Sequence, residues 1–235
     1  MSDEIGETEQ QPAAHDYWQR LLPASAPVGG APFRASFPAR LPDGRQLLLP
    51  IRALSDGTHG LASLILNQAS FAVVEALAAA LAEKLRTQEL DLVVGLPTLG
   101  LSLAAPLAQK LGHSRYLPCG TSRKFWYDES LSVPISSVTT ETVRRLYLDP
   151  RLVPLLEGRR VALVDDVIST GRSLVAGLEL LKRCGCEPVA IGAAMLQSDR
   201  WHHQPALRDR ADHLHAVVTT PLLHRVEGGW APVET

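Results

Sequence analysis

The chain has 235 residues, 46% hydrophobic and 20% charged, with a formal net charge of −2. That length holds a sizeable core in one domain with appendages, and the near-neutral charge excludes a general attraction to nucleic acid. Cys119, Cys184 and Cys186 are too few for a disulfide framework, and the Cys-x-Cys pair has no second pair to complete a zinc site; a reducing cytoplasm is the expected compartment.

In chain order, "MSDEIGETEQQPAAHD" is acidic and polar, with no basic stretch leading into an apolar one, so it does not read as a secretory signal. Residues 1–20 are expected to form a tail without fixed structure, and 21–60 an N-terminal hood or hairpin segment. "DYWQRLLPASAPVGGAPF" reads as an irregular docked segment, and "PDG" at 42–44 as a turn between two apolar runs. From Ser70, a hydroxyl available as N-cap, Phe71, Val74, Ala78, Leu81 and Leu85 recur at helical spacing. This richest apolar stretch is broken by Glu75, Glu83 and Lys84 and is too short for a membrane span.

"DLVVGL" then reads as a buried strand, "PTLG" as a tight loop, and Leu101, Ala104, Ala105, Ala108 and Leu111 as a helix face closed by Gly112. The same order returns from 161 to 185: a strand over Val161 to Val164, the loop "DDVISTGRS", and a stripe of Leu174, Leu178 and Leu181 closed by Gly185. "PVAIGAAML" supplies another buried strand. The fold class is therefore α/β, a mostly parallel sheet with helices on both faces, in a core domain spanning 61–235 with C-terminal hood elements. In such sheets ligands gather beyond the carboxyl ends of the strands, where both loops lie.

In "STGRS" the free amides of a helix start, the helix dipole and Gly171 suit a phosphate, and Ser169, Thr170 and Ser173 offer hydroxyls. Asp165 and Asp166 cannot share that anion; they can accept hydrogen bonds from vicinal hydroxyls or help hold Mg²⁺. "GLPTLG" offers amides to a second anion, so the two loops together suit a ribose phosphorylated at both ends. A solvated helix cap is the competing reading of the acid pair, and ordinary turns that of Pro97, Thr98, Leu99 and Gly100.

"VALVDDVISTGRS" closely resembles the signature of the type I phosphoribosyltransferases, and "VVGLPTLG" is similar to their pyrophosphate loop. The likeness runs over roughly residues 60 to 198 and is nearest to the xanthine and adenine enzymes. It implies transfer of the 5-phosphoribosyl group from phosphoribosyl pyrophosphate to a purine-like base, with Mg²⁺ as cofactor and a homodimer as the assembly. By the resemblance, Asp165 and Asp166 would contact the ribose hydroxyls, and Ser169, Thr170, Gly171, Arg172 and Ser173 the 5-phosphate. Pro97, Thr98, Leu99 and Gly100 would form the pyrophosphate loop. "SRKFWYDESLSVPISSVTT" resembles an Arg-Lys strand followed by a mobile loop, which would place Arg123 and Lys124 near the pyrophosphate; Asn67 and Gln197 would face the base.

There are departures. Ser169 stands where the hypoxanthine-guanine enzymes carry an acid, Gln197 where xanthine enzymes carry a lysine, and Leu99 where adenine enzymes often carry an arginine, so the base stays open. Phe125, Trp126 and Tyr127 are expected to pack on the core or hood. His213 and His215 share a strand face and His202 and His203 adjoin, but without an acid pattern they do not spell a metal site. The alternative function is a non-catalytic sensor of phosphoribosyl pyrophosphate or nucleotide; the lack of a basic helix-turn-helix pattern before the core favours the enzyme. Adjacent acids disfavour an aspartate-nucleophile phosphatase, and no Gly-Lys-Ser/Thr supports a P-loop kinase. Neither nucleic acid nor membrane is an expected partner.

Overall fold

The computed structural model describes residues 12–135 and 144–233. The chain first lays down β1 (Ser36–Arg40), β2 (Gln46–Ala53) and β3 (His59–Ala62), an antiparallel meander. The turn expected at "PDG" joins β1 to β2: Gly44 takes a φ of +87°, its N–H donates to the Leu41 carbonyl, and the Asp43 carboxylate accepts from the Arg45 N–H. The expected tail gives way to packed structure before residue 21. Tyr17 and Trp18 are buried, and the Trp18 indole donates to the Ser63 carbonyl at 3.0 Å, because two large aromatic surfaces outweigh the polar residues beside them. Residues 1–11 of that tail lie outside the described residues.

Helix α1 (Phe71–Leu85) starts at the expected cap, where Ser70 Oγ accepts from the Val73 N–H at 3.2 Å. Its buried stripe is Val73, Leu77, Ala78, Leu81 and Leu85, whereas Phe71, expected on that stripe, is 91% exposed. Two residues turn a helix by about 200°, so with Val73 inward Phe71 faces out. Ser70→Ala removes one amide acceptor and should cost about 1 kcal/mol in urea unfolding, with an unchanged m-value.

Next come β4 (Leu92–Gly95), α2 (Gly100–Lys110) and β5 (Leu117–Pro118), followed by a hairpin of β6 (Ser132–Ile135) and β7 (Arg144–Tyr147). Then β8 (Val161–Ile168), α3 (Arg172–Arg183), β9 (Ala190–Gln197), the single turn α4 (Pro205–Arg208) and β10 (Leu214–Thr220) complete the centre of the molecule. The parallel sheet has the order β10-β9-β8-β4-β5. On one face Val93, Ala162, Val164, Ala190 and Ala194 pack with α1 and α2. On the other, Val94, Leu163 and Ile191 pack with Leu174, Leu180 and Leu181 of α3. Both faces are covered, which is why these strands read as continuous apolar runs.

Strand β8 outruns its expected end at Val164: it continues through both aspartates to Ile168, with Asp165 opposite Ala193 and Ile168 opposite Leu196 of β9. Backbone pairing is indifferent to the carboxylates, and Val167 and Ile168 are good strand formers. Finally β11 (Leu222–Val226) and β12 (Gly229–Pro232) return to the N-terminal meander, giving a second, antiparallel sheet in the order β1-β2-β3-β11-β12. Among the described residues no helix is long and apolar enough to cross a membrane.

Candidate functional site

From β4 the chain goes through α2 to β5 on one side, whereas β8, reached next in the sheet, lies on the other side of β4. That junction is the topological switch point, and the crevice above it lies at the carboxyl ends of β4 and β8. Residues 97–100 rim it from β4 and residues 169–173 from β8. Both following helices begin without a side-chain cap: Leu99 precedes α2, and Gly171, at φ +74°, precedes α3. No side chain takes up their first amides, the groups on which an anion can sit, although the Ser102 N–H donates to the Leu99 carbonyl. The Pro97–Thr98 peptide bond is cis.

Gly100 brings the 97–100 rim down onto β8 itself. A Cβ there would lie 2.8 Å from Asp165 Oδ1 and 2.9 Å from Asp165 Cα, so the start of α2 rests directly on β8. Asp165 and Asp166 are both buried, and the Asp166 N–H donates to Asp165 Oδ1 at 3.0 Å. Burial, then the neighbouring Asp166 charge, hold the Asp165 carboxyl well above the usual carboxylate range; burial also raises Asp166, against hydrogen bonds from Asp165 and backbone amides. A buried acid pair of this kind is relieved by hydroxyl donors or by a cation. Among the described residues no group of three or more His, Cys, Asp or Glu side chains is placed to hold a metal. An ion at the pair would therefore need oxygens from a ligand to complete its shell.

Pro97, Thr98, Leu99 and Gly100 follow β4, and Asp165, Asp166, Ser169, Thr170, Gly171, Arg172 and Ser173 lie on or follow β8, so the pairing of the two strands brings both sets to one end of the sheet, although Arg172 lines a separate depression with Val133, Val175 and Glu179. Other expected residues lie elsewhere. Arg123 and Lys124 are not on a strand; they sit in an exposed loop after β5, where Arg123 pairs with Glu129 at 3.3 Å and the Lys124 carbonyl closes a turn with Tyr127. Local turn formation and that ion pair prevail because no strand among the described residues supplies a ladder to them. Residues 136–143 of the expected mobile loop lie outside the described residues. Phe125 does not pack on core or hood: it is 95% exposed, while Trp126 donates to Asp149 and Tyr127 lies by Tyr147. Asn67 is exposed in a single 3₁₀ turn. The Gln197 side chain is buried and donates to the Ala62 carbonyl at 2.5 Å, fastening β9 to β3.

Two features escaped the sequence. Beyond the ends of β9 and β10 is a cavity of ≈ 450 Å³ whose walls include Ser198, Trp201, His202, Thr219 and Leu222. Beside it, the Arg200 guanidinium donates to Ser169 Oγ at 2.5 Å and to Ser198 Oγ at 3.2 Å. Only the place of Arg200 just past a parallel strand's carboxyl end could have marked it.

The fold defines a doubly wound α/β protein, and the switch point of its sheet is where proteins of this class take their ligands. The chain belongs to the phosphoribosyl transferase domain family, whose match covers residues 62–222, the central sheet without most of the antiparallel one. It is 31% identical over 123 residues to the adenine phosphoribosyltransferase of Acidiphilium cryptum, covering 50% of this chain and 64% of that protein. It is 33% identical over 97 residues to the transcriptional regulator GfcR of Archaeoglobus fulgidus, covering 40% of this chain and 42% of that one. The chain thus spans less than two thirds of the length of these curated relatives. Among solved structures, the adenine phosphoribosyltransferase of Thermoanaerobacter pseudethanolicus superposes with a TM-score of 0.51 at 22% identity, over 63% of this chain and 81% of that one, a likeness of fold.

Proposed function

We propose that this chain transfers the 5-phosphoribosyl group of phosphoribosyl pyrophosphate to a purine-like base and releases pyrophosphate. The observation that carries the reading is the buried pair Asp165 and Asp166 set between two uncapped helix starts at the switch point. An acceptor pair flanked by two anion cradles suits a pentose with two hydroxyls in the middle and a phosphate at either end. Family membership over 62–222 supports it.

In this reading the amides and hydroxyls of Ser169, Thr170, Gly171, Arg172 and Ser173 bind the 5-phosphate, and the amides of 97–100 the pyrophosphate. Asp165 and Asp166 accept the two ribose hydroxyls, and their charge favours the cationic character that C1 gains as its bond to pyrophosphate breaks. A ring nitrogen of the base forms the new bond to C1, while the bonding electrons leave on the pyrophosphate oxygen. Asp165 and Asp166, with oxygens from the substrate, would hold Mg²⁺ as a cofactor, and such an ion would offset the leaving group's growing negative charge. The cavity past β9 and β10, ≈ 450 Å³ with Trp201 and His202 among its lining residues, is the place we assign to the acceptor base. Arg123 and Lys124, carried on their exposed loop, belong to the same proposal as pyrophosphate ligands reached when that loop folds over the crevice. The free thiols of Cys119, Cys184 and Cys186 fit a cytoplasmic setting, and a homodimer is the assembly we assign.

The test is a panel of purine and pyrimidine bases with Mg²⁺ and phosphoribosyl pyrophosphate. Pyrophosphate release with at least one purine is the expected result. The likeness to a transcriptional regulator favours a second reading, a sensor of the same ligand; tight binding of phosphoribosyl pyrophosphate with no release for any base would establish it instead.

A further inference from the structure

We infer that Arg200 is a positioning residue for the sugar's terminal phosphate, acting through Ser169; the inference rests on the function proposed above. Arg200 lies three residues past the end of β9, in the single 3₁₀ turn Arg200–His203. Its half-buried guanidinium crosses to the neighbouring strand's loop and donates to Ser169 Oγ, the first hydroxyl of the 169–173 rim, while Nε donates to Ser198 Oγ. Among the described residues it makes no ion pair, unlike Arg145, Arg151 and Arg210, each of which meets an acid.

A serine hydroxyl has one hydrogen to give. When a cationic donor occupies its oxygen, that hydrogen turns away from the donor and becomes a better donor itself. Turned toward the rim that leads into α3, that hydrogen would give an anion there both a hydrogen bond and the field of the guanidinium. The other anchor is unusual in backbone. Ser198 is buried and held at φ +61°, a left-handed conformation rare for serine, with its N–H donating to the Thr220 carbonyl at 2.7 Å. That geometry sets Ser198 Oγ at the inner edge of the guanidinium, so the arginine is gripped at one end and presents its other end to Ser169. Strain held at a strand end beside a cleft is the expected mark of a group whose placement matters.

The test is titration of ribose 5-phosphate, and separately of inorganic pyrophosphate, into wild-type protein and into Arg200→Gln, Arg200→Lys, Ser169→Ala and the Ser169→Ala/Arg200→Gln pair. Arg200→Gln should weaken ribose 5-phosphate about tenfold or more, the loss expected of one charge-assisted hydrogen bond, and leave pyrophosphate affinity within about twofold. Arg200→Lys should recover part of the loss. In the Ser169→Ala background, Arg200→Gln should add little, because the hydroxyl it acts through is gone. Unchanged ribose 5-phosphate affinity in Arg200→Gln overturns the inference, as do equal losses for both ligands or fully additive effects. Wild-type protein that binds pyrophosphate but not ribose 5-phosphate overturns the parent assignment of the 169–173 rim, and this inference with it.

Discussion

Gly100→Ala is expected to weaken binding of phosphoribosyl pyrophosphate about a hundredfold or more, with a loss of about 1–3 kcal/mol in stability. The added methyl would sit 2.8 Å from Asp165 Oδ1, 2.9 Å from Asp165 Cα and 3.1 Å from the Val164 carbonyl oxygen. The carboxylate can rotate; the backbone cannot yield, because β8 is bonded on both edges, to β4 and β9. The start of α2 must therefore back away, taking the amides of 97–100 with it, and a displacement of about 1 Å is enough to cost two orders of magnitude where ligand groups must be met in register. Gly120→Ala is the control, since a Cβ there meets nothing within 4 Å. Calorimetric titration and urea unfolding of the two variants decide the matter: Gly100→Ala with wild-type affinity would remove the 97–100 loop from the site.

Asp165→Asn should make the protein more stable and less able to bind the sugar. Burial and the adjacent Asp166 charge raise the Asp165 carboxyl, so the folded chain holds this proton more tightly than the unfolded chain does. For a raised acid, stability is greatest below the unfolded value and declines as pH climbs through the folded one. Asparagine keeps the shape, and its carbonyl can still accept from the Asp166 N–H, but it has no charge to desolvate. The variant should melt above wild type at pH 7, each kcal/mol relieved being worth about 2–4 °C, and the gap should close toward about pH 4. Affinity for phosphoribosyl pyrophosphate should fall at least about tenfold, with a hydroxyl partner replaced by an amide. A variant that melts below wild type at pH 7 would mean that the pair already has its charge compensated.

Much of this architecture is readable along the chain because its signals are local. A strand buried on both faces must be apolar throughout, and "DLVVGL" and "PVAIGAAML" are; Ser70 caps the helix it precedes. The crevice loops follow from their place after such strands. What stays hidden is set across the chain. Phe71 and Phe125 are as apolar as any core residue, and nothing in their neighbourhood says that none of the described residues covers them. Arg123 and Lys124 look like strand residues until their loop finds no ladder. Gln197 meets its partner 135 positions away and Arg200 meets Ser169 31 positions away, so neither bond leaves a trace in local pattern. Acidic residues look like the end of β8, yet its ladder with β9 runs past them.

The antiparallel sheet borrows from both sides of the sequence, with Leu61 of β3 registered against Leu222 of β11. On the ribosome, β3 therefore emerges early and waits, one edge bare, while about 160 residues are still being translated. Its sealing is a late, long-range event, of the slow kind that high contact order imposes. Until then the nascent chain carries an open strand edge, and chaperone capture or intermolecular pairing competes with folding at that edge.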